Sequence, residues 1–203
     1  MSVAPQPSDA IKTAIFGGAF DPLHNGHLAT VAALLSSGVV QQVIVVPSGD
    51  RPDKPHATRA LQRLELCRLG VEEAFKGDSR VEVSDAHAAQ RVGYGTIDLV
   101  RYFAADRSRE IFVVIGMELL KDLPQWKEAD ELKAIAKFLA VQRPGGEISV
   151  APAGWDVTSF KYPYDAGVYV SSTLLRRLLK HRSPCAGLMP ATVERFCVQH
   201  DLY

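Results

Sequence analysis

Cysteine is scarce in this sequence, and neither sign of charge prevails. The 203 residues include three cysteines, an odd number without paired spacing, which argues against a disulfide framework and a zinc knuckle. Cys67, Cys185 and Cys197 are expected to be buried thiols. Lysine and arginine total 23, as do aspartate and glutamate, so the chain lacks the positive charge that binding to a phosphate backbone requires. Nucleic acid is therefore a poor candidate partner.

Long apolar runs are missing as well. Hydrophobic residues make up 47% and charged residues 23%, and no apolar run is long enough to span a bilayer. The first residues, "MSVAPQPSDAIK", carry prolines where a signal peptide needs an apolar core. We expect residues 1–11 to be a disordered lead-in of a cytoplasmic protein without a membrane partner. Residues 12–203 are predicted to form one domain, and no heptad repeat or exposed apolar stripe indicates an oligomeric state.

Short apolar runs alternate with stretches of helical spacing. The predicted strands are Thr13–Gly17, Val43–Pro47, Val81–Ser84, Ile111–Gly116 and Phe138–Gln142. Helical spacing relates Leu28, Val31, Ala32 and Leu35, then Leu61, Leu64, Cys67 and Val71, then Ile97, Val100 and Phe103. This alternation predicts an α/β fold with a doubly wound, Rossmann-like parallel sheet that is covered on both faces.

The C-terminal part of the chain is less regular. Arg143–Gly167 is rich in glycine, proline and aromatic residues, so it is predicted to be a loop. It leads to a predicted C-terminal helical pair, Thr173–Lys180 and Pro190–Gln199. In a doubly wound sheet the ligand binds beyond the C-terminal strand ends, where the strand order reverses. The loops at that edge follow Phe16, Val46, Ser84 and Ile115.

The first chemical motif is "IFGGAFDPLHNGHLATVAALL", which runs from the end of the first strand into a helix. Gly17 and Gly18 suit either a phosphate-binding turn or an ordinary tight turn. A helix that begins near Gly26 would place His24 and His27 beside its positive N-terminal end, facing the crevice, where an anion would bind. Metal ligation is an alternative, although no further ligands complete a zinc set. Ordinary structural histidines are another.

A second motif, "VSSTLLRR", lies near the C-terminus. Ser171 to Thr173 would cap a helix, and Arg176 lies one turn inside it. By itself this is a capped basic helix, in which Arg177 belongs to the solvated face. Together with the first motif, its hydroxyl groups and guanidinium could clamp the outer phosphates of a nucleoside triphosphate.

At this point the chain resembles a known family. "GGAFDPLHNGH" and "VSSTLLR" are similar to the two signatures of the nucleotidyltransferase superfamily. "IGMELLKDLPQW", "VQRPGG" and the final "HDLY" further resemble the bacterial nicotinate mononucleotide adenylyltransferases, from about Lys12 to Tyr203. The resemblance implies that the phosphate of a pyridine mononucleotide attacks the α-phosphorus of ATP and displaces pyrophosphate. Mg²⁺ would arrive with ATP, held mainly by phosphate oxygens and water.

The resemblance also implies roles for individual residues. Asp21 would order the first turn. The residues expected to bind ATP are Gly17, Gly18, Phe20, Lys54, Gly116, Glu118, Ser172 and Thr173. The charge-stabilising catalytic residues would be His24, His27 and Arg176. The acceptor would be bound by Gly95, Thr96 and Trp126.

Three positions depart from the family pattern. Glu118 stands where the family usually has aspartate near the ATP ribose. Gly95 stands where an aromatic residue is usual, and Asp53 replaces a frequent histidine. Phosphopantetheine adenylyltransferase shares both signatures, but His24 and Trp126 argue against it. A nucleotide-binding regulator without turnover is the other alternative, motivated by Glu118 and Gly95.

Overall fold

A parallel β-sheet forms the centre of the molecule in the computed structural model, which describes residues 10–50, 56–142, 148–160 and 170–203. Its six strands lie in the order β3-β2-β1-β4-β5-β6, and each neighbouring pair is parallel. The strands are β1 Ile11–Gly18, β2 Gln42–Pro47, β3 Val81–Val83, β4 Arg109–Gly116, β5 Lys137–Val141 and β6 Val157–Phe160. The predicted doubly wound α/β fold is confirmed.

Helices connect the strands and cover the sheet. They are α1 Asn25–Ser36, α2 Ala60–Phe75, α3 Thr96–Ala104, a 3₁₀ helix Met117–Gln125, α4 Ala129–Ile135, α5 Ser172–Lys180 and α6 Ala191–Gln199. The last two confirm the predicted C-terminal helical pair. Most predicted elements agree with the structure to within one or two residues at each end, the usual uncertainty of element boundaries.

The alternation of side chains along the strands creates two cores. Ile15, Ile44 and Val113 face a cluster that also contains Ile97 and Val100 of α3. Their strand neighbours point to the opposite face, where α1 and α2 pack; these are Ala14, Val43, Val45, Phe112 and Val114. Because successive residues of a strand point to opposite faces, uniformly apolar strands require cover on both sides.

A third cluster joins α2 to the C-terminal helices. Leu66 of α2, Leu175 of α5 and Val193 of α6 are fully buried in it. The three cysteines are buried thiols, as predicted, and burial raises the pKa of Cys67 and Cys197. The carboxylate of Glu73 on α2 accepts hydrogen bonds from the backbone N–H groups of Ala191 and Thr192, which begin α6.

Two sequence predictions about the fold require correction. Arg143–Gly167 is predicted to be a loop, but its described part, residues 148–160, contains strand β6, which pairs with β5 from Phe138–Val157 to Val141–Phe160. β6 is an edge strand with only Phe160 buried, so its sequence carries little apolar signal. In addition, β1 begins at Ile11, inside the predicted lead-in. Residues 1–9 of that lead-in lie outside the described residues.

Within the described parts of the chain, no helix combines the length and the apolar character that crossing a bilayer requires.

Candidate active site

The strand order places the candidate site at the C-terminal ends of β1 and β4. β2 and β3 are added on one side of β1, whereas β4, β5 and β6 are added on the other. Phe16 pairs with Val114, so both strands reach the same edge, with Gly18 and Gly116 as their last residues. A crevice at such a reversal is where doubly wound sheets bind ligands.

Gly17 and Gly18 end β1 and differ in why glycine stands there. A Cβ atom on Gly18 would lie 2.9 Å from the aromatic ring of Phe20. The backbone of Phe20 is left-handed, with a φ of 50°. Packing therefore excludes a side chain at Gly18. A Cβ atom on Gly17 would meet no described atom within 4 Å. Packing among the described residues does not explain glycine at this position, whereas backbone contact with a ligand would.

The N-terminus of α1 carries the two histidines. The backbone N–H of His24 donates to Nδ1 of His27 at 3.2 Å, and the two rings stack with centroids 3.6 Å apart. Because Nδ1 of His27 is an acceptor, the neutral ring carries its proton on Nε2, which is then a donor. The predicted helix start near Gly26 is confirmed, since α1 begins at Asn25.

Burial distinguishes these histidines. His24 is only 7% exposed, and its ring lies against Gly26, where a Cβ atom would be 3.1 Å from its Cε1. His27 is half-buried and packs edge-on against Phe20 at a centroid distance of 4.8 Å. Both were expected to face the crevice, but His27 is the outer ring and His24 supports it from inside.

Asp21 connects the first turn to two distant segments. Its buried carboxylate accepts hydrogen bonds from the backbone N–H of Ala57 at 2.8 Å, the hydroxyl of Thr58 at 2.5 Å and the hydroxyl of Tyr203 at 2.6 Å. Burial and the bond to Asp21 raise the pKa of Tyr203, so this phenol remains a donor. These contacts agree with the prediction that Asp21 orders the turn. The sequence indicated no role for Tyr203.

The N-terminus of α5 reaches the same turn. The Ser171 side chain caps the helix by accepting from the backbone N–H of Leu174 at 3.2 Å. Ser172 donates to the carbonyl oxygen of Pro22 at 2.9 Å. Arg176 donates from Nη1 to the carbonyl of Asp21 at 2.8 Å and from Nη2 to the Thr173 hydroxyl at 3.2 Å. The two sequence motifs are thus brought together, with further guanidinium N–H donors beyond these two bonds.

Arg63 of α2 is a structural centre of the site that sequence reasoning missed. Its side chain has no solvent exposure, and Nη1 donates to the carbonyl of Ala19 at 2.8 Å and to the Ser48 hydroxyl at 3.1 Å. It also donates to Gly49, Asp50 and Thr58. Arg63 therefore ties the turn after β1 to the loop after β2. An arginine within the apolar stripe of α2 was the available signal.

The end of β4 carries Gly116 and Glu118. The Glu118 side chain folds back over Gly116, where a Cβ atom would lie 2.3 Å from Oε1, so any larger residue at position 116 would require this carboxylate to move. Glu118 lies in the first turn of the 3₁₀ helix and is half-buried. The carboxylate thus lies at the C-terminal end of β4.

The predicted acceptor residues form a second region along the same edge. Gly95 is the N-cap residue of α3 and Thr96 is its first residue; the backbone N–H of Gly95 donates to Asp98 at 3.0 Å. Trp126 ends the 3₁₀ helix, is half-buried and packs edge-on against Phe138 at a centroid distance of 6.5 Å. Trp126 is therefore partly a core residue, and the rest of its side chain is exposed.

Tyr94 links this second region to the loop after β2. A Cβ atom on Gly49 would lie 2.8 Å from the Tyr94 ring, so the aromatic side chain covers that glycine.

Lys54, predicted beside the phosphates, lies outside the described residues. In the described ranges, no group of three or more His, Cys, Asp or Glu side chains could hold a metal ion.

A glycine turn and two helix N-termini in the crevice of a doubly wound sheet suit the binding of a ligand that carries phosphate groups. The sequence model of the cytidylyltransferase-like family matches residues 15–178, most of the chain, so the protein belongs to that family.

Individual relatives narrow the assignment. The chain is 31% identical over 189 residues to a probable nicotinate-nucleotide adenylyltransferase of Tropheryma whipplei (strain TW08/27), covering 92% of this chain and 97% of the relative. It is 28% identical to the nicotinate-nucleotide adenylyltransferase of Bacillus subtilis (strain 168), covering 95% and 98%. With 31% identity over nearly its whole length, it is a member of the nicotinate-nucleotide adenylyltransferases.

A solved structure supports the fold independently. A Plasmodium falciparum nicotinic acid mononucleotide adenylyltransferase complexed with NaAD superposes with a TM-score of 0.77, over 95% of this chain and 97% of that one. Its sequence identity is 17%, so this likeness concerns the fold alone.

Proposed function

We propose that this chain transfers AMP from ATP to nicotinate mononucleotide, which gives nicotinate adenine dinucleotide and pyrophosphate. The observation that carries the proposal is the meeting of two helix N-termini, those of α1 and α5, at the turn that follows β1. Both termini bring hydrogen-bond donors and positive partial charge to the place where a triphosphate would lie. The membership in the adenylyltransferases supports the same reaction.

The chemistry requires little covalent participation by the protein. The attacking phosphate of the mononucleotide is already ionised at neutral pH, so no general base is needed. The enzyme has to align the two substrates and stabilise the charge that develops on the transferred phosphoryl group. In this proposal Gly17, Gly18 and Phe20 provide the backbone cradle, and His24 and His27 stabilise the phosphates, with Nε2 of His27 as the outer donor.

The C-terminal clamp would bind the leaving pyrophosphate. Ser172 and Thr173 lie in the first turn of α5, and Arg176 is anchored by two of its own hydrogen bonds beside them. A guanidinium has five N–H donors in a planar fork. The donors that do not serve Asp21 and Thr173 would hold β- and γ-phosphate oxygens.

The remaining predicted residues would bind the two nucleoside parts. Glu118, folded over Gly116 at the end of β4, would bind the ATP ribose, and Lys54 would lie beside the phosphates. Thr96 and Trp126 would bind the pyridine ring, while the N–H of Gly95 is already donated to Asp98. Mg²⁺ would enter with ATP, coordinated chiefly by phosphate oxygens and water. The reaction would take place in the cytoplasm.

Pyrophosphate release tests the proposal directly. The purified protein would be incubated with ATP, Mg²⁺ and one acceptor at a time: nicotinate mononucleotide, nicotinamide mononucleotide or phosphopantetheine. We expect nicotinate mononucleotide to exceed nicotinamide mononucleotide at least roughly tenfold in kcat/KM, because amide N–H groups cannot accept the hydrogen bonds that a carboxylate accepts. Release only with phosphopantetheine, or ATP binding without release, would contradict the proposed function.

A further inference from the structure

Lys127 follows Trp126 and lies across the turn that begins α3. A Cβ atom built on Gly95 would be 3.2 Å from Cδ of Lys127, so the aliphatic part of the lysine occupies the space above this glycine. The side chain therefore bridges from the end of the 3₁₀ helix to the N-cap of α3, the two places that carry the predicted acceptor residues.

The ammonium group of Lys127 ends on Asp98. Its Nζ lies 3.0 Å from Oδ1 and 3.1 Å from Oδ2 of that carboxylate, and Oδ2 also accepts the backbone N–H of Gly95 at 3.0 Å. Partial burial acts to raise the pKa of Asp98, but the bonds from Lys127 and Gly95 outweigh it and lower the pKa. Asp98 is thus a carboxylate at neutral pH.

The turn is wrapped tightly around this carboxylate. A Cβ atom on Gly93 would lie 2.5 Å from Oδ2 of Asp98, and one on Gly95 would lie 3.0 Å from the same oxygen. The side chain of Asp98 is only 16% exposed, whereas that of Lys127 is 56% exposed. Asp98 is therefore held in place under the turn, and Lys127 is the solvent-exposed partner that compensates its charge.

An uncompensated carboxylate at this turn would oppose the binding of a negatively charged acceptor. The interaction of two like charges within a few ångströms is unfavourable even in a partly solvated site. A neutral carboxamide would experience no such repulsion. The sign of the charge at the Gly93–Thr96 turn would consequently discriminate between the two pyridine mononucleotides.

We propose that Lys127 is a specificity-determining residue. It neutralises the charge of Asp98 beneath the Gly93–Thr96 turn and thereby allows the site to bind an acceptor that carries a carboxylate on its ring. This inference rests on the proposed function, since it concerns the acceptor end of that same site. It assigns to Lys127 a role in acceptor choice and none in ATP binding.

The test compares Lys127→Met with Lys127→Met/Asp98→Asn. Methionine keeps an unbranched apolar stem above Gly95 and removes the charge. Asparagine keeps an oxygen to accept the Gly95 N–H and removes the negative charge that lysine compensates. Lys133→Met on α4 is the matched control, because it removes an exposed lysine that does not contact the turn. Thermal melting of all variants reports folding.

For Lys127→Met we expect KM for nicotinate mononucleotide to rise about threefold to fivefold, the range that a partly exposed charge pair produces. KM for nicotinamide mononucleotide and for ATP should stay within about twofold of the unaltered protein. The added Asp98→Asn should restore nicotinate use, and Lys133→Met should change neither acceptor.

Other results would overturn the inference. An unchanged preference in Lys127→Met, or equal losses for both acceptors, would show that Lys127 does not select by charge. Failure of Asp98→Asn to restore nicotinate use would remove Asp98 from the explanation. If the unaltered protein releases no pyrophosphate with either acceptor, the proposed function fails, and this inference fails with it.

Discussion

The phosphate side and the acceptor side of the site are constructed differently. On the phosphate side, Asp21, His24 and Arg63 are buried, and their hydrogen bonds join the turn after β1 to the loop after β2, to α5 and to Tyr203. On the acceptor side, Asp98 forms an ion pair with Lys127, whose side chain is exposed to solvent. Buried polar networks lose much when one member is removed, whereas exposed pairs lose little. The phosphate side should therefore be rigid, and the acceptor side adjustable.

The largest effect is expected from substitution of Arg63, and it concerns the stability of the fold. Arg63→Met would leave the carbonyl oxygens of Ala19, Gly49 and Thr58 without this donor. We expect the free energy of unfolding to fall by about 3 kcal/mol or more. Chemical denaturation measures the difference, with Arg68→Met as the control, because Arg68 is an exposed residue of the same helix. Equal stabilities of the two variants would remove Arg63 from the centre of the phosphate side.

Substitution of the two histidines tests whether the phosphate side of the site carries out the chemistry. His27→Ala or His24→Ala should lower turnover on the order of 100-fold, because the first change removes the outer donor to the developing charge and the second removes the ring that holds His27 in place. His24→Ala should also lower the melting temperature more than His27→Ala does, because His24 is buried. His181→Ala, on an exposed histidine at the end of α5, serves as the control. Near-normal turnover in both variants would refute the assigned role.

Arg176 and Arg177 are neighbouring residues of α5, and replacing each with lysine distinguishes the role of the bound guanidinium from that of the exposed one. Arg176→Lys keeps the charge but not the planar fork that bonds Asp21 and Thr173, so kcat/KM for ATP should fall roughly tenfold or more. Arg177 is exposed, and Arg177→Lys should be nearly silent. Similar ATP kinetics in the two variants would mean that the clamp is misplaced.

For Trp126 the expected range begins at the smallest effect of the four. An indole face over a pyridinium ring contributes about 0.5–2 kcal/mol, so Trp126→Ala should raise KM for either acceptor a few-fold to about thirtyfold and leave KM for ATP nearly unchanged. Acceptor titrations at saturating ATP measure this. An unchanged acceptor KM would assign Trp126 to the core beside Phe138 alone.

Local patterns were sufficient for much of the structure. Uniformly apolar strands and helical spacing predicted β1 to β5 and the two C-terminal helices, because burial on both faces or on one face imposes those periods. The glycines after β1 and the serines before α5 predicted two turns that could bind anions. Strand β6 escaped prediction, since an edge strand with one buried residue owes its conformation to pairing with β5.

Sequence alone thus determined the fold class, the family and the two motifs that carry the chemistry, because each of these depends on short-range spacing. Tertiary structure decided which partners the key side chains have. Arg63 and Tyr203 reach the first turn from 44 and 182 residues away in sequence, and Lys127 covers Gly95 from the turn between the 3₁₀ helix and α4. No local pattern encodes such contacts, since they arise only when the sheet brings the C-terminal ends of its strands, and the loops that follow them, to one edge.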